Sequence, residues 1–480
     1  MTEGPLLGKI LLFVLPLALT NLLQVLYNAA DMVVVSLSRE PDAVGAIGTT
    51  GAFINLILNI FIGFSVGANV VVARHLGSGN AEKASRAVHT SLCMSVLFGV
   101  AGTVVGLLIT RPVLAAMGNT GKLLDLAVQY TVIYFIGVPF SSLANYAIAI
   151  LRAKGDTRTP LYILTATGLL NVGLNFFFVL ALDMSVDGVA YATSISNAVS
   201  AVLLVICLSK EKGACRFSFR KLGMDRSAFS DILYVGLPAG LQGALFSLSN
   251  MLIQSSILQV NNAMCPADSA YQPVVKGNAA ASNLENFAYT ATNSVHQASV
   301  TFTSQNVGAE KYERVSRVMK CCYFVTFLIA VLMSGIVLLL REPLLALYGV
   351  KAGADGSLDS IAMSTAVTRM LYMLTTYFLC AFMEVGSGVL RGLGKSVTST
   401  VVSLIGSCVL RIVWIFTVFR LNPTLGVIYF SYPLSWGLTA LIHFTCCIVT
   451  KNKLIRQKKE RDASAAVRQN AEKTTETSVG

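Results

Sequence analysis

The sequence predicts an all-α membrane protein with twelve spans arranged as two pseudo-symmetric six-helix bundles. Long windows without charge, a block of sequence that returns in the second half, and a one-sided distribution of basic residues lead to that class. Of 480 residues, 54% are hydrophobic and 12% charged, with a mean hydropathy of +0.68. A soluble domain would carry about a quarter of its residues charged.

The charge-free windows supply the spans. Residues 12–30, 43–73, 126–151, 232–267, 286–309 and 421–450 contain no Asp, Glu, Lys or Arg. Each reaches the roughly 18–20 residues that a helix needs to cross a bilayer core. Counting all such windows gives, in order, spans near 8–37, 43–74, 85–110, 123–150, 159–182 and 187–209. A second set follows at 230–258, 277–305, 316–340, 365–391, 396–419 and 424–450. Helices are the spanning element because a backbone in lipid must satisfy its own hydrogen bonds, and the alternating ten-residue strands of a barrel are missing. Pro16, Pro139, Pro238 and Pro433 fall inside spans, where a proline kinks a helix and frees a carbonyl.

The repeat divides the chain. Residues 74–88, "RHLGSGNAEKASRAV", return 231 positions later as 305–319, "QNVGAEKYERVSRVM". Without a gap, Gly77 meets Gly308, Glu82 meets Glu313 and Arg86 meets Arg317. Further on, "LRAKGDTRTP" (151–160) matches "LRGLGKSVTS" (390–399), and Pro16 and Asn28 match Pro238 and Asn250. Residues 1–209 form one lobe, 210–229 a polar basic connector, 230–450 the second lobe, and 451–480 a tail that reads as disordered. Six spans per lobe make the repeats parallel, related by an axis along the membrane normal. Such duplication is the signature of secondary transporters, with substrate between the halves.

The net charge of +12 reads as topology. Twenty-seven Lys and Arg lie with the termini and the even-numbered connections, eight on the opposite side, and Arg411 inside a span. Both termini are therefore expected in the cytoplasm, and the basic tail beside anionic lipid headgroups or in solvent. Nucleic acid is not an expected partner, and a monomer is expected in the inner (plasma) membrane. The first apolar segment is too long for a signal peptide. Ten cysteines form no disulfide or metal framework; only Cys265 reaches the outer side, without a partner. His75, His89, His296 and His443 are scattered, so no metal site and no cofactor are expected. "GVLRGLGKS" is not a phosphate loop, since Val389 stands where the first glycine is required. An integral membrane enzyme would need a His/Asp/Glu constellation at one interface, and none is seen, so no catalytic residue is assigned.

The chain resembles the multidrug and toxic compound extrusion (MATE) family of cation-coupled antiporters, bacterial branch. The resemblance covers residues 5–450 and rests on "PLALTNLLQVLYNAADMVVV", "VVARHLGSGNAEKA", "LRAKGDTRTP", "GVAYATSIS", "TSQNVGAEKYERV" and "VLRGLGKS" in order. It implies two six-helix bundles in a V around a central cavity, and export of amphipathic, cationic small molecules in exchange for H+ or Na+. The alternative is a lipid-linked oligosaccharide or polysaccharide flippase of the same superfamily, against which Arg411 stands as the one clearly intramembrane base.

Asp31 is the sharpest residue. It lies after a neutral run and roughly 10 Å deep at about 1.5 Å per residue. Inserting an Asp at mid-helix costs on the order of 3 kcal/mol, so it needs a partner or a task. An acid taken out of water holds a proton more readily; beside other oxygens it can hold sodium. The competing reading is a cap near a shallower interface. The resemblance puts the coupling carboxylate at Asp31. Its expected neighbours are Asn171 and Asn175, at i, i+4 on one helix face, and Thr193; the duller reading of the asparagines is interhelical packing. Many relatives carry a second Asp where Asn175 stands, so a single monovalent cation per cycle is expected here.

Lobe two lacks the acid, since Ile253 stands opposite Asp31. Glu285 and Glu384 are candidate substrate counter-charges or halves of structural pairs, and a buried Glu285–Arg411 pair is expected from similar depth. Tyr27, Tyr130, Tyr134, Tyr146, Phe287 and Tyr289 are candidates to line a cavity and hold organic cations on their ring faces.

Overall fold

The computed structural model describes residues 1–480 except 39, 41, 265–271, 355 and 478–480, with backbone only for 52 and 466–477. Cys265 and its loop lie outside the described residues.

Among the described residues, twelve long helical elements run in chain order: α1 Leu6–Ser36, α2 Ala43–Gly77, α3 Ala81–Ala116, α4 Gly121–Lys154, α5 Arg158–Ala181 and α6 Val186–Lys210, then α7 Arg226–Met264, α8 Pro273–Gly308, α9 Tyr312–Leu339, α10 Leu358–Gly392, α11 Ser396–Phe419 and α12 Leu425–Thr477. Ten of them are long and apolar enough to cross a bilayer by themselves. The tenth span is a pair, Leu358–Leu374 and Tyr377–Gly392, bent by 47°. No proline sits at the bend. Instead the Thr375 and Thr376 hydroxyls donate to the carbonyls of Leu371 and Tyr372, in competition with the helix ladder. The α8 helix is long enough but rich in buried Ser, Thr, Asn and Gln. It packs on α1, α2, α9 and both segments of α10, which screen its polar groups from lipid.

The repeat is visible in the backbone. Gly79 (φ +72°) and Glu310 (φ +54°) are 231 apart, as are Gly118 (φ +92°) and Gly349 (φ +70°). Each pair turns the chain through the left-handed region at equivalent helix ends. Glu310 holds that conformation without glycine, at a cost that tertiary contacts offset.

The first helix of each lobe leans on the other lobe. In the half of α1 nearer the N-terminus, Leu6, Ile10, Phe13, Val14 and Leu17 share a core with Val295, Phe302 and Val315, and Phe13 meets Phe302 edge-on at 5.7 Å. Its counterpart α7 packs along α2, where a Cβ on Gly63 would lie 2.1 Å from the Gly240 nitrogen. At the ends of α2 and α8 the closure is reciprocal. A Cβ on Gly77 would stand 2.0 Å from the Gln305 carbonyl oxygen, and one on Gly308 1.9 Å from that of Arg74. Polar ties cross the same region: Thr301 Oγ1 donates to Asn69 Oδ1 (3.0 Å), Gln305 Nε2 to the Ala153 carbonyl (2.6 Å), and Arg152 to Gln297.

On the opposite face the buried apolar residues fall into separate cores. Val34, Ala46 and Phe53 belong to lobe one, while Ile253, Ile257 and Met370 belong to lobe two. The lobes are thus joined on the face that carries the termini and separate on the other.

The tail differs from the expectation of disorder, for α12 continues to Thr477. Its composition (Ala, Lys, Arg, Glu) favours helix. Its first turns are anchored: Lys451 Nζ donates to Ser316 Oγ (2.9 Å) and Arg461 Nη2 to Glu310 Oε1 (2.8 Å).

Candidate functional site in the lobe-one cavity

Asp31 and the three residues expected around it come together. Asn175 Nδ2 donates to Asp31 Oδ1 and, at 3.4 Å, to Asn171 Oδ1; Asn171 Nδ2 reaches Thr193 Oγ1 at 3.5 Å. The ladder has a direction, since a carboxylate only accepts and the Asn175 amide must present its NH2. The Asn175 Oδ1 is left buried without a partner. Local sequence explains the meeting of helices. Gly168 lets α5 approach α1 so closely that a Cβ there would lie 2.0 Å from the Tyr27 ring. One helical turn separates Asn171 from Asn175, and both are buried. A π turn, Phe177–Ala181, follows immediately and ends the regular ladder of α5; such turns recur at functional positions.

Asp31, Asn171 and Thr193 line a cavity of about 360 Å³, with Asn175 fully buried. Gln24, Tyr27, Asn28, Tyr134, Asn145 and Asn197 also belong to its polar wall, together with serine and threonine hydroxyls, and Asp31 is the sole charged residue among the lining groups. Tyr27 and Tyr134 therefore face it, whereas Tyr130 and Tyr146 are packed in the lobe-one core. The wall offers one carboxylate, amide oxygens and several hydroxyls. These are hard donors suited to a small cation, or hydrogen-bond partners for a protonated acid.

Lobe two departs from the sequence-based expectation. Glu285 pairs with Arg369, not Arg411: Arg369 Nε and Nη2 meet the two carboxylate oxygens at 2.9 and 2.8 Å, and Nη1 donates to Asn278 Oδ1 at 2.8 Å. The flat guanidinium fork matches both oxygens at once. Depth alone suggested Arg411, but depth does not tell which way a helix face points. Close to the start of the span expected from 365, Arg369 is counted with the outer basic residues. The helix begins earlier, at Leu358, which places Arg369 deeper, 7% exposed.

Arg411 is therefore not the one intramembrane base, since Arg369 is buried within the tenth span; Arg391, in the last turn of that span, is buried as well. Arg391 Nη2 donates to Gln242 Oε1 at 2.9 Å. Glu384 meets His296, whose Nδ1 lies 2.7 Å from the Glu384 carbonyl oxygen and 3.5 Å from its Oε2. Ile253, opposite Asp31 in the repeat, is a core residue.

The family model MatE matches residues 16–177 and 238–417, one stretch in each lobe. The chain belongs to the MatE family. It is 26% identical to the probable multidrug resistance protein YoeA of Bacillus subtilis over 90% of this chain and 91% of that protein. It is 25% identical to the probable multidrug resistance protein NorM of Thermotoga maritima over 82% and 81%. A structure described as the outward-facing conformation of a multidrug resistance MATE family transporter superposes with a TM-score of 0.84. That match has 21% identity and covers 95% of this chain and 98% of the other. MatE proteins are multi-pass membrane transporters of small molecules rather than enzymes, and this chain is one of them.

Proposed function

We propose that this MatE protein is a secondary antiporter of the plasma membrane that exports amphipathic small molecules bearing a cationic group, exchanging each for one H+ or one Na+ held at Asp31. The observation that carries the reading is the ladder Asp31–Asn175–Asn171–Thr193 in the wall of the lobe-one cavity. One carboxylate neutralises one monovalent charge, so ion and cationic substrate compete for it. Asn175 supplies the relay. With Asp31 ionised its NH2 faces the carboxylate. With Asp31 protonated, a half-turn of the amide brings the unpartnered Oδ1 round to accept the new O–H.

With both termini cytoplasmic, the joined face is the inner one, and this arrangement opens outward. Ion uptake from outside would then release substrate, and ion loss inside would restore affinity for it. The multidrug names of the relatives support a broad substrate range, which suits a cavity with one charge and several ring faces. The flippase alternative asks for cationic groups lining the central cavity. The lobe-one cavity wall contains none, Arg369 is neutralised within lobe two, and Arg411 is left as a single base rather than the several that a pyrophosphate head group asks for.

The test is uptake of a permanently cationic dye into inverted proteoliposomes under an imposed pH gradient or an imposed sodium gradient. One of the two is expected to drive accumulation, with one ion spent per dye cation. Accumulation under neither gradient contradicts the reading.

A further inference from the structure

Within lobe two, two guanidiniums converge on one aromatic ring. Arg411 Cζ lies 4.2 Å from the Tyr432 ring centroid and Arg369 Cζ 5.8 Å from it. The single carboxylate there, Glu285, is taken bidentately by Arg369. Among the described residues no carboxylate pairs with Arg411, whose hydrogen bond is Nε to Ser435 Oγ at 2.8 Å. Glu384 is engaged with His296 instead. Arg411 is 5% exposed and, as an arginine, keeps its charge. One positive charge is thus left over in an apolar interior, where unpaired charge is disfavoured unless it has a task.

The helix around it is equally irregular. A single α turn, Leu410–Trp414, carries Arg411 between two π turns, Leu404–Val409 and Ile415–Phe419. Single π turns inside α-helices recur at functional positions. With the offset of 239 that aligns Arg152 with Arg391, Arg411 falls opposite Val172, beside Asn171 of the lobe-one ladder. The repeat therefore puts a base in lobe two next to the place where lobe one holds its ion-binding amides.

We infer that Arg411, with the faces of Tyr432 and Trp436, forms a second binding site that takes the anionic group of an amphipathic carboxylate or zwitterion. A guanidinium offers parallel N–H donors to two oxygens, while the rings at 4.2 and 5.7 Å flank it. This site does not depend on the role of Asp31 and widens the substrate range from cations to molecules that carry an acid.

The chain has two tryptophans, Trp414 and Trp436, so Trp414→Phe leaves Trp436 as the sole reporter at the site. The protein would be placed in phosphatidylcholine nanodiscs and titrated with decanoate and, separately, decyltrimethylammonium. Decanoate is expected to change Trp436 emission saturably and decyltrimethylammonium to leave it unchanged. Arg411→Gln should weaken decanoate binding at least tenfold, and Arg411→Lys should recover part of it. Equal binding by Arg411→Gln, or equal responses to the two amphiphiles, overturns the site. An Arg411-dependent response to phosphatidylglycerol with none to decanoate overturns it as a substrate site and makes it one for a lipid headgroup.

Discussion

Asp31→Asn is expected to abolish gradient-driven export while leaving a folded protein. The carboxamide has the size of the carboxyl and can still meet Asn175, so the contacts between α1 and α5 survive. What is lost is the one group in the lobe-one wall that can change charge. Without it neither a proton nor sodium is neutralised there, and the imposed gradient has nothing to act on. The initial rate of driven dye uptake should fall on the order of a hundredfold or more, equivalent to roughly 3 kcal/mol. Exchange without a gradient should survive better than driven transport. Parent-like uptake by the variant under the same gradient would remove Asp31 from the mechanism.

The largest expected effect on stability is at Glu285. Replacing it by Gln leaves one accepting oxygen but removes the counter-charge, so Arg369 stays charged in a closed interior among neutral partners, Asn278 and the rings of Tyr429 and Tyr432. Breaking a buried pair from one side costs about 3–5 kcal/mol, whereas replacing both members by apolar groups is often neutral. Glu285→Gln should therefore unfold at a markedly lower temperature in detergent, and Glu285→Met with Arg369→Met should regain most of the loss. Accessibility of the buried thiols Cys322, Cys380 and Cys408 to a thiol-reactive dye reports the unfolding. A single variant as stable as the parent would show that the pair is not needed.

The twelve spans were legible because lipid enforces long neutral windows, and charges punctuate them. The repeat was legible because its glycines are bound by geometry. Gly77 and Gly308 each face a backbone carbonyl across the lobe interface, and Gly118 and Gly349 each take a positive φ. The ladder could be read because polar residues inside a span are rare, and i, i+4 spacing puts Asn171 and Asn175 on one face. Arg369 escaped because a base close to the edge of a neutral window looks like a flank, and the bend at Thr375–Thr376 conceals where the helix starts. Glu285 was assigned to Arg411 because hydropathy gives depth but not the direction of a side chain. The tail read as disordered because its anchors, Ser316 and Glu310, lie far away in sequence.

The central claim is that one ion and one cationic substrate exclude each other at Asp31. Its most direct test is equilibrium binding of a cationic dye to the purified protein across a range of concentrations of the coupling ion. Exclusive occupancy predicts that, above the ion's own dissociation constant, each tenfold rise in ion raises the apparent dye Kd about tenfold, and that Asp31→Asn abolishes this dependence. A dye affinity indifferent to both protons and sodium, or a dependence that persists in Asp31→Asn, would contradict it.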